Sequence, residues 1–162
     1  MINVRMGVGR HLHLPGVRSL TTAMELEKEL CIERPAIYVG LTAGRGRGVF
    51  AARAYAPGEG IEVCPVIVCG GADATTLLDR TELFNYYFAW GEGDEGCAIA
   101  LGFGSLYNHS YRPNADHVRN FVTGTVTVTA CRPIAAGEEI TINYTGAVDC
   151  RDPVWFEMRE KE

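Results

Sequence analysis

Thr125-Val126-Thr127-Val128-Thr129-Ala130-Cys131 alternates hydroxyl and apolar side chains, and Glu139-Ile140-Thr141-Ile142 resumes that pattern after a turn at Gly137, running into Asn143-Tyr144. A period of two is the pattern of a strand with one face on a core. Working outward, residues 115–119 form the natural hairpin partner of 125–131 across Gly124. Residues 83–90 and 97–101 flank the polar, glycine-rich segment 91–96, which suits a link between antiparallel strands. Residues 61–69 form a continuous apolar run and are expected to be a strand buried on both faces. Residues 36–39 and 49–52 are strand-like on either side of Gly44-Arg45-Gly46-Arg47-Gly48. Residues 74–79, with Asp73 as N-cap, form the best helix candidate. The fold class is therefore mainly β with a few short helices.

The chain has 162 residues, 47% hydrophobic and 22% charged, which is the size and composition of one folded domain. Its longest apolar run, 63–69, is broken by Pro65 and falls far short of the roughly 20 residues of a membrane helix. Fifteen basic and twenty acidic side chains give a net charge of −5, which disfavours direct nucleic-acid binding. The six cysteines contain no Cys-x-x-Cys pair and the four histidines no His-x-x-x-His pair, so no metal site is expected. Sparse thiols without a secretory signal point to a reducing compartment, the cytoplasm or nucleus. Residues 1–24 form a separate basic stretch with Arg5, Arg10 and Arg18 and no acid. They read as a disordered extension, as an upstream start before Met24, or as a transit peptide that would place the protein in an organelle. Residues 25–162 are expected to form the single domain and its tail.

Three segments are candidates for chemistry. The glycine cluster 44–48 lets a ligand approach the backbone closely but is not a P-loop, and alone it reads as a turn. Gly104-Ser105-Leu106-Tyr107-Asn108-His109-Ser110, with Pro113-Asn114 beyond it, reads alone as a self-bonded loop. Tyr144, read alone, is a core aromatic.

Taken together and in order, Gly46-Arg47-Gly48-Val49-Phe50-Ala51, Asn108-His109-Ser110 with Pro113-Asn114, and Gly137-Glu138-Glu139-Ile140-Thr141 leading to Tyr144 resemble the SET domain of protein lysine methyltransferases. The likeness spans about residues 36–146, and the compact length is similar to small stand-alone SET proteins. It implies small curved sheets with a C-terminal pseudoknot, S-adenosylmethionine as cofactor, and methyl transfer to the side-chain amine of a lysine in a protein, with a histone-like substrate among the options. It further implies that Arg47 and Gly48 contact the cofactor through backbone groups, that Asn108 and His109 hold its amino-acid and adenine portions, that Tyr144 is the catalytic tyrosine, and that Trp155 or Phe156 covers the adenine. Tyr86, Tyr87, Phe88 and Trp90 are channel-wall candidates that read more simply as core.

The match has departures. Asn143 stands where many relatives have aspartate, Ile142 where an aromatic often sets the number of methyl groups added, and the zinc-binding cysteines that follow many SET domains are absent, since only Cys150 lies beyond Tyr144. Two alternatives stay open on the sequence: a non-catalytic SET-fold module that recruits protein partners, and methylation of a small molecule in the same pocket. Glu92, Asp94, Glu95, Glu138 and Glu139 are candidates for attracting a basic peptide.

Overall fold

The computed structural model describes residues 35–70, 74–91, 93–94 and 96–157. The expectations for residues 1–24, the Asp73 cap, Glu92 and Glu95 lie outside them.

The glycine cluster turns the chain between β1 (Ile37–Thr42) and β2 (Gly46–Ala51), which pair antiparallel along their whole length from Ile37↔Ala51 to Thr42↔Gly46. β3 (Gly60–Cys69) follows, then a short helix α1 (Ala74–Leu78), a 3-10 turn (Glu82–Asn85), the hairpin of β4 (Tyr87–Trp90) and β5 (Gly96–Ala100), and a second 3-10 turn (Gly104–Leu106). The two-residue β6 (Asn108–His109) precedes the hairpin of β7 (Ala115–Asn120) and β8 (Thr125–Ala130), and β9 (Glu139–Ile142) comes last. The strands form two sheets, one in the order β1-β2-β9-β6 and one in the order β4-β5-β3-β8-β7.

In β8 the sequence alternation becomes burial: Val126, Val128 and Ala130 face the core while Thr127 and Thr129 are half-buried. β3 is longer than its partners and changes neighbour along its length, pairing with β8 from Gly60 to Pro65 and with β5 from Val66 to Cys69. Proline, which has no N–H for a ladder, sits at that handover. The expectation that 61–69 is buried on both faces is corrected here: Ile67 and Val68 are 55% and 51% exposed, because the second half of β3 passes beyond the packed layer. Residues 83–90 are likewise not one strand. The Thr81 hydroxyl accepts a hydrogen bond from the Leu83 amide (3.1 Å) and starts the 3-10 turn, leaving only the last four residues extended.

The five-stranded sheet curls until its two edges meet. Arg119 on β7 donates to the Ala89 carbonyl on β4 (2.6 Å), and the rings of His117 and Phe88 lie 5.5 Å apart. One core cluster contains Val49, Tyr107, Val128, Ile134, Ile140 and Ile142, and a second gathers around Cys64, Trp90, Ala98 and Val126. No helix among the described residues is long and apolar enough to cross a membrane.

Candidate functional site

The three sequence segments meet at β9. This strand pairs antiparallel with β2 (Val49↔Ile140) and parallel with β6 (Asn108↔Thr141, His109↔Ile142), so residues far apart in the chain become neighbours in one sheet. Asn114 locks the arrangement. Its amide nitrogen donates to the Glu139 carbonyl (2.8 Å) and the Glu138 carboxylate (3.0 Å), while its oxygen accepts from the Thr141 amide (2.8 Å).

The Glu139 carboxylate collects the Thr42 hydroxyl (3.1 Å), the Asn108 amide nitrogen (2.8 Å) and the Arg45 guanidinium. Arg45 also reaches the His109 carbonyl (3.3 Å), and the Asn108 nitrogen makes a second bond to the Arg47 carbonyl (3.0 Å). Both N–H groups of the Asn108 amide are thereby used, and its oxygen makes no hydrogen bond among the described residues. Gly48 lies against this node. A Cβ there would come within 2.8 Å of the Thr42 hydroxyl and 2.9 Å of the Asn108 nitrogen, so any other residue would push these side chains apart.

Tyr144 follows directly from β9. Its backbone N–H donates to Nδ1 of His109 (3.0 Å) and its hydroxyl donates to the Tyr107 carbonyl (2.7 Å). The tail returns over it: Trp155 stacks on the Tyr144 ring with centroids 5.9 Å apart, and Phe156 meets it edge-on. The Trp155 indole N–H reaches Asn85 (3.3 Å), and Tyr111 accepts from the Val154 amide and donates to the Asp152 carbonyl. Burial, reinforced by the neighbouring Tyr86 phenol, pushes the Tyr144 pKa up to about 12. At neutral pH this phenol is a hydrogen-bond donor and not a base.

Two cavities flank Tyr144, of about 320 and 360 Å³. Asn85, Tyr86, Ser105, Tyr144 and Trp155 line both and so form the partition between them. The first continues along Tyr87, Phe88, Ile142 and His117; the second along Arg45, Gly46, Arg47, Asn108 and Phe156. His117 has Nδ1 buried with no hydrogen-bond partner among the described residues, and its pKa is lowered by that burial.

The sequence-derived set thus divides by position. Arg47, Asn108, Tyr144, Trp155 and Phe156 border the second cavity, Gly48 lies beneath it, and His109 is buried behind Tyr144. Tyr86, Tyr87 and Phe88 line the first cavity, whereas Trp90 is buried in the core against Phe121. Asn85, Ser105, Tyr107 and Arg45 were not singled out from sequence. Ser105 and Tyr107 carried a signal as members of the middle segment, and Arg45 as a member of the glycine cluster.

The described acidic candidates each have partners within the chain. Glu138 is held by Arg132 (3.0 Å), Asn114 and the Ala135 amide, Glu139 by Arg45, and Asp94 by Arg119. Asn143 also has a structural part. It is buried, and its amide nitrogen donates to the carbonyls of Ala147 and Cys150 (2.9 Å each), which a carboxylate cannot do.

Comparison with known proteins agrees with this geometry. The SET domain family model matches residues 46–145. A Schizosaccharomyces pombe protein named histone-lysine N-methyltransferase, H3 lysine-37 specific, is 32% identical over 116 residues, covering 72% of this chain and 74% of the relative. A solved Plasmodium falciparum structure, described as a candidate histone methyltransferase, superposes with a TM-score of 0.51 at 28% identity over 69% of this chain and 95% of its own. A chain of the ctPRC2 complex superposes with a TM-score of 0.57 at 24% identity, over 69% of this chain and 15% of its own, and supports the fold alone. With the family model spanning most of its described body and the pombe relative most of its length, the chain belongs to the SET domain family of lysine methyltransferases.

Proposed function

We propose that the chain transfers a methyl group from S-adenosylmethionine to the side-chain amine of a lysine in a protein. The observation that carries this is the position of Tyr144, a residue of the partition between two cavities whose hydroxyl is held by the Tyr107 carbonyl. The second cavity fits the cofactor. Gly48 lets the Glu139 node that holds Asn108 close up beneath the cavity, the Asn108 oxygen is an open acceptor for an ammonium, and the half-exposed rings of Trp155 and Phe156 offer a stacking surface.

S-adenosylmethionine would supply a methyl group on a sulfonium, whose carbon a neutral amine attacks so that the C–N bond forms as the C–S bond breaks, a neutral thioether leaves and the positive charge passes to the nitrogen. The first cavity prepares that amine. Aromatic walls from Tyr86, Tyr87 and Phe88 exclude water around it, and desolvation favours its uncharged form. Because the Tyr144 hydroxyl spends its proton on Tyr107, its lone pairs are left to accept an amine N–H, which fixes the direction of the nitrogen lone pair. Alignment of this kind is worth roughly 7–11 kcal/mol in well-oriented reactions. A raised phenol pKa keeps the hydroxyl protonated throughout, so Tyr144 orients and does not abstract.

The relatives' names make a histone the first substrate to try. The decisive experiment incubates the protein with radiolabelled S-adenosylmethionine, first with purified histones and then with whole-cell extract. Labelled protein bands that disappear with Tyr144→Phe are the expected result. Cofactor binding without labelling of any protein overturns the enzymatic reading in favour of a partner-binding module, and label confined to small molecules moves the substrate class.

A further inference from the structure

The acceptor of the Tyr144 hydroxyl is a main-chain carbonyl, and a main-chain carbonyl points where its neighbours hold it. We propose that Glu62, on β3, is a positioning residue for methyl transfer: its buried carboxylate anchors Tyr107 and thereby aims the carbonyl that holds the Tyr144 phenol. This rests on the methyl-transfer reading above.

Glu62 is 8% exposed and Tyr107 1%. One carboxylate oxygen accepts from the Tyr107 hydroxyl (2.9 Å) and the other from the Phe103 amide (3.0 Å). Among the described residues no arginine or lysine pairs with Glu62, so its burial is not offset by an ion pair. A buried carboxylate without a cation is costly, and a well-packed apolar side chain at this place in a core would stabilise the fold better. The surrounding chain is nonetheless shaped around it. Gly102 takes a positive φ of 65°, and a Cβ there would strike the same carboxylate. The Tyr107 phenol is held protonated by burial and by the Glu62 charge, so it stays a donor to the carboxylate.

The peptide group between Tyr107 and Asn108 is consequently tethered on both sides. The Tyr107 ring is tied to β3 through Glu62, and the Asn108 amide is tied to the Arg47 carbonyl and Glu139. The carbonyl between those tethers receives the Tyr144 hydroxyl at 2.7 Å. Neither Glu62 nor Tyr107 lines the second cavity, whereas Tyr107 lines the first, so loosening the Glu62 tether acts on the acceptor of the Tyr144 hydroxyl while the Asn108 side chain keeps its bonds to Arg47 and Glu139.

The test compares Tyr107→Phe, Glu62→Ala and Glu62→Gln in steady-state kinetics and in carbon-13 NMR of ring-labelled tyrosine. Glutamine keeps the anchor, because its oxygen accepts from Phe103 and its nitrogen donates to the Tyr107 hydroxyl. Tyr107→Phe and Glu62→Ala are expected to lower kcat by about tenfold to a hundredfold, as small misplacements do. The KM for S-adenosylmethionine should stay within roughly twofold, the pattern of an interaction made only in the transition state. Both variants should also shift the Tyr144 resonance, and Glu62→Gln should restore kcat and resonance together. A Tyr107→Phe variant that is folded by thermal melting and keeps both kcat and the Tyr144 resonance overturns the proposal, as does a loss in Glu62→Gln equal to that in Glu62→Ala. Should Glu62→Ala not fold, Tyr107→Phe, which removes a single hydroxyl, carries the decision. If the unmodified protein labels no substrate, the methyl-transfer reading fails, while the Tyr144 resonance still decides whether Glu62 positions the phenol.

Discussion

Tyr144 has two environments at once. Its ring packs against the main core cluster and between His109 and Trp155, while the residue also lines both cavities. That duality is why the sequence, read at this position alone, gives a core aromatic: the packing is visible in the strand pattern and the cavities are not. Tyr144→Phe should keep the fold, costing about 0.5–1.5 kcal/mol for one hydrogen bond, and should keep cofactor affinity while abolishing methyl transfer. Circular dichroism, calorimetry and label incorporation together check it. The raised pKa also has a stability consequence. Because the folded-state value of about 12 exceeds the unfolded value near 10, the unfolded chain releases its proton first as pH rises. The contribution of Tyr144 is complete below pH 10 and is lost progressively toward pH 12. Urea titrations across that interval should show a smaller alkaline loss in Tyr144→Phe than in the unmodified protein. Asn108→Ala removes both the open oxygen and the bonds to Arg47 and Glu139, so calorimetry should record weaker binding of S-adenosylmethionine. Unchanged affinity would remove Asn108 from the binding set.

At the scale of elements, β9 is the piece on which the site depends, and it is only four residues long. Its alternation was legible, but its place between β2 and β6 was not, since a period of two says that a strand exists and nothing about its neighbours. Asn114 supplies what the short ladder lacks, with hydrogen bonds to Glu138, Glu139 and Thr141 from a side chain that is 1% exposed. Asn114→Ala strands the Thr141 amide and the Glu139 carbonyl in the interior and should lower stability by about 2–4 kcal/mol, read as an earlier midpoint in urea. The misread elements have local causes. At residues 83–85 the aromatic and apolar composition suggested a strand, and the Thr81 cap made a turn instead. At 67–68 the apolar run suggested burial, but the sheet ends its covered part before those residues.

At the scale of the whole molecule, the second cavity, the proposed cofactor site, is completed by the tail, which has no regular secondary structure over residues 150–153 and crosses back by way of Tyr111. Trp155 is 54% exposed, so its removal costs the fold little. Trp155→Ala should leave the melting temperature nearly unchanged and weaken cofactor binding by about 0.5–1.5 kcal/mol, the usual value of one aromatic contact, measured by calorimetry. The sequence by itself determined the strand-rich class, the hairpins on either side of glycine turns, and the family, because periodicity, turn residues and ordered short motifs are local properties of a chain. The tertiary structure alone decided that Glu139 orients Asn108, that Glu62 reaches Tyr107, and that Asn85 and Ser105 share the partition with Tyr144. The two hydrogen bonds among them join residues 31 and 45 positions apart. Which distant donor meets which acceptor is settled only when the sheets curl and the last strand slots between two earlier ones.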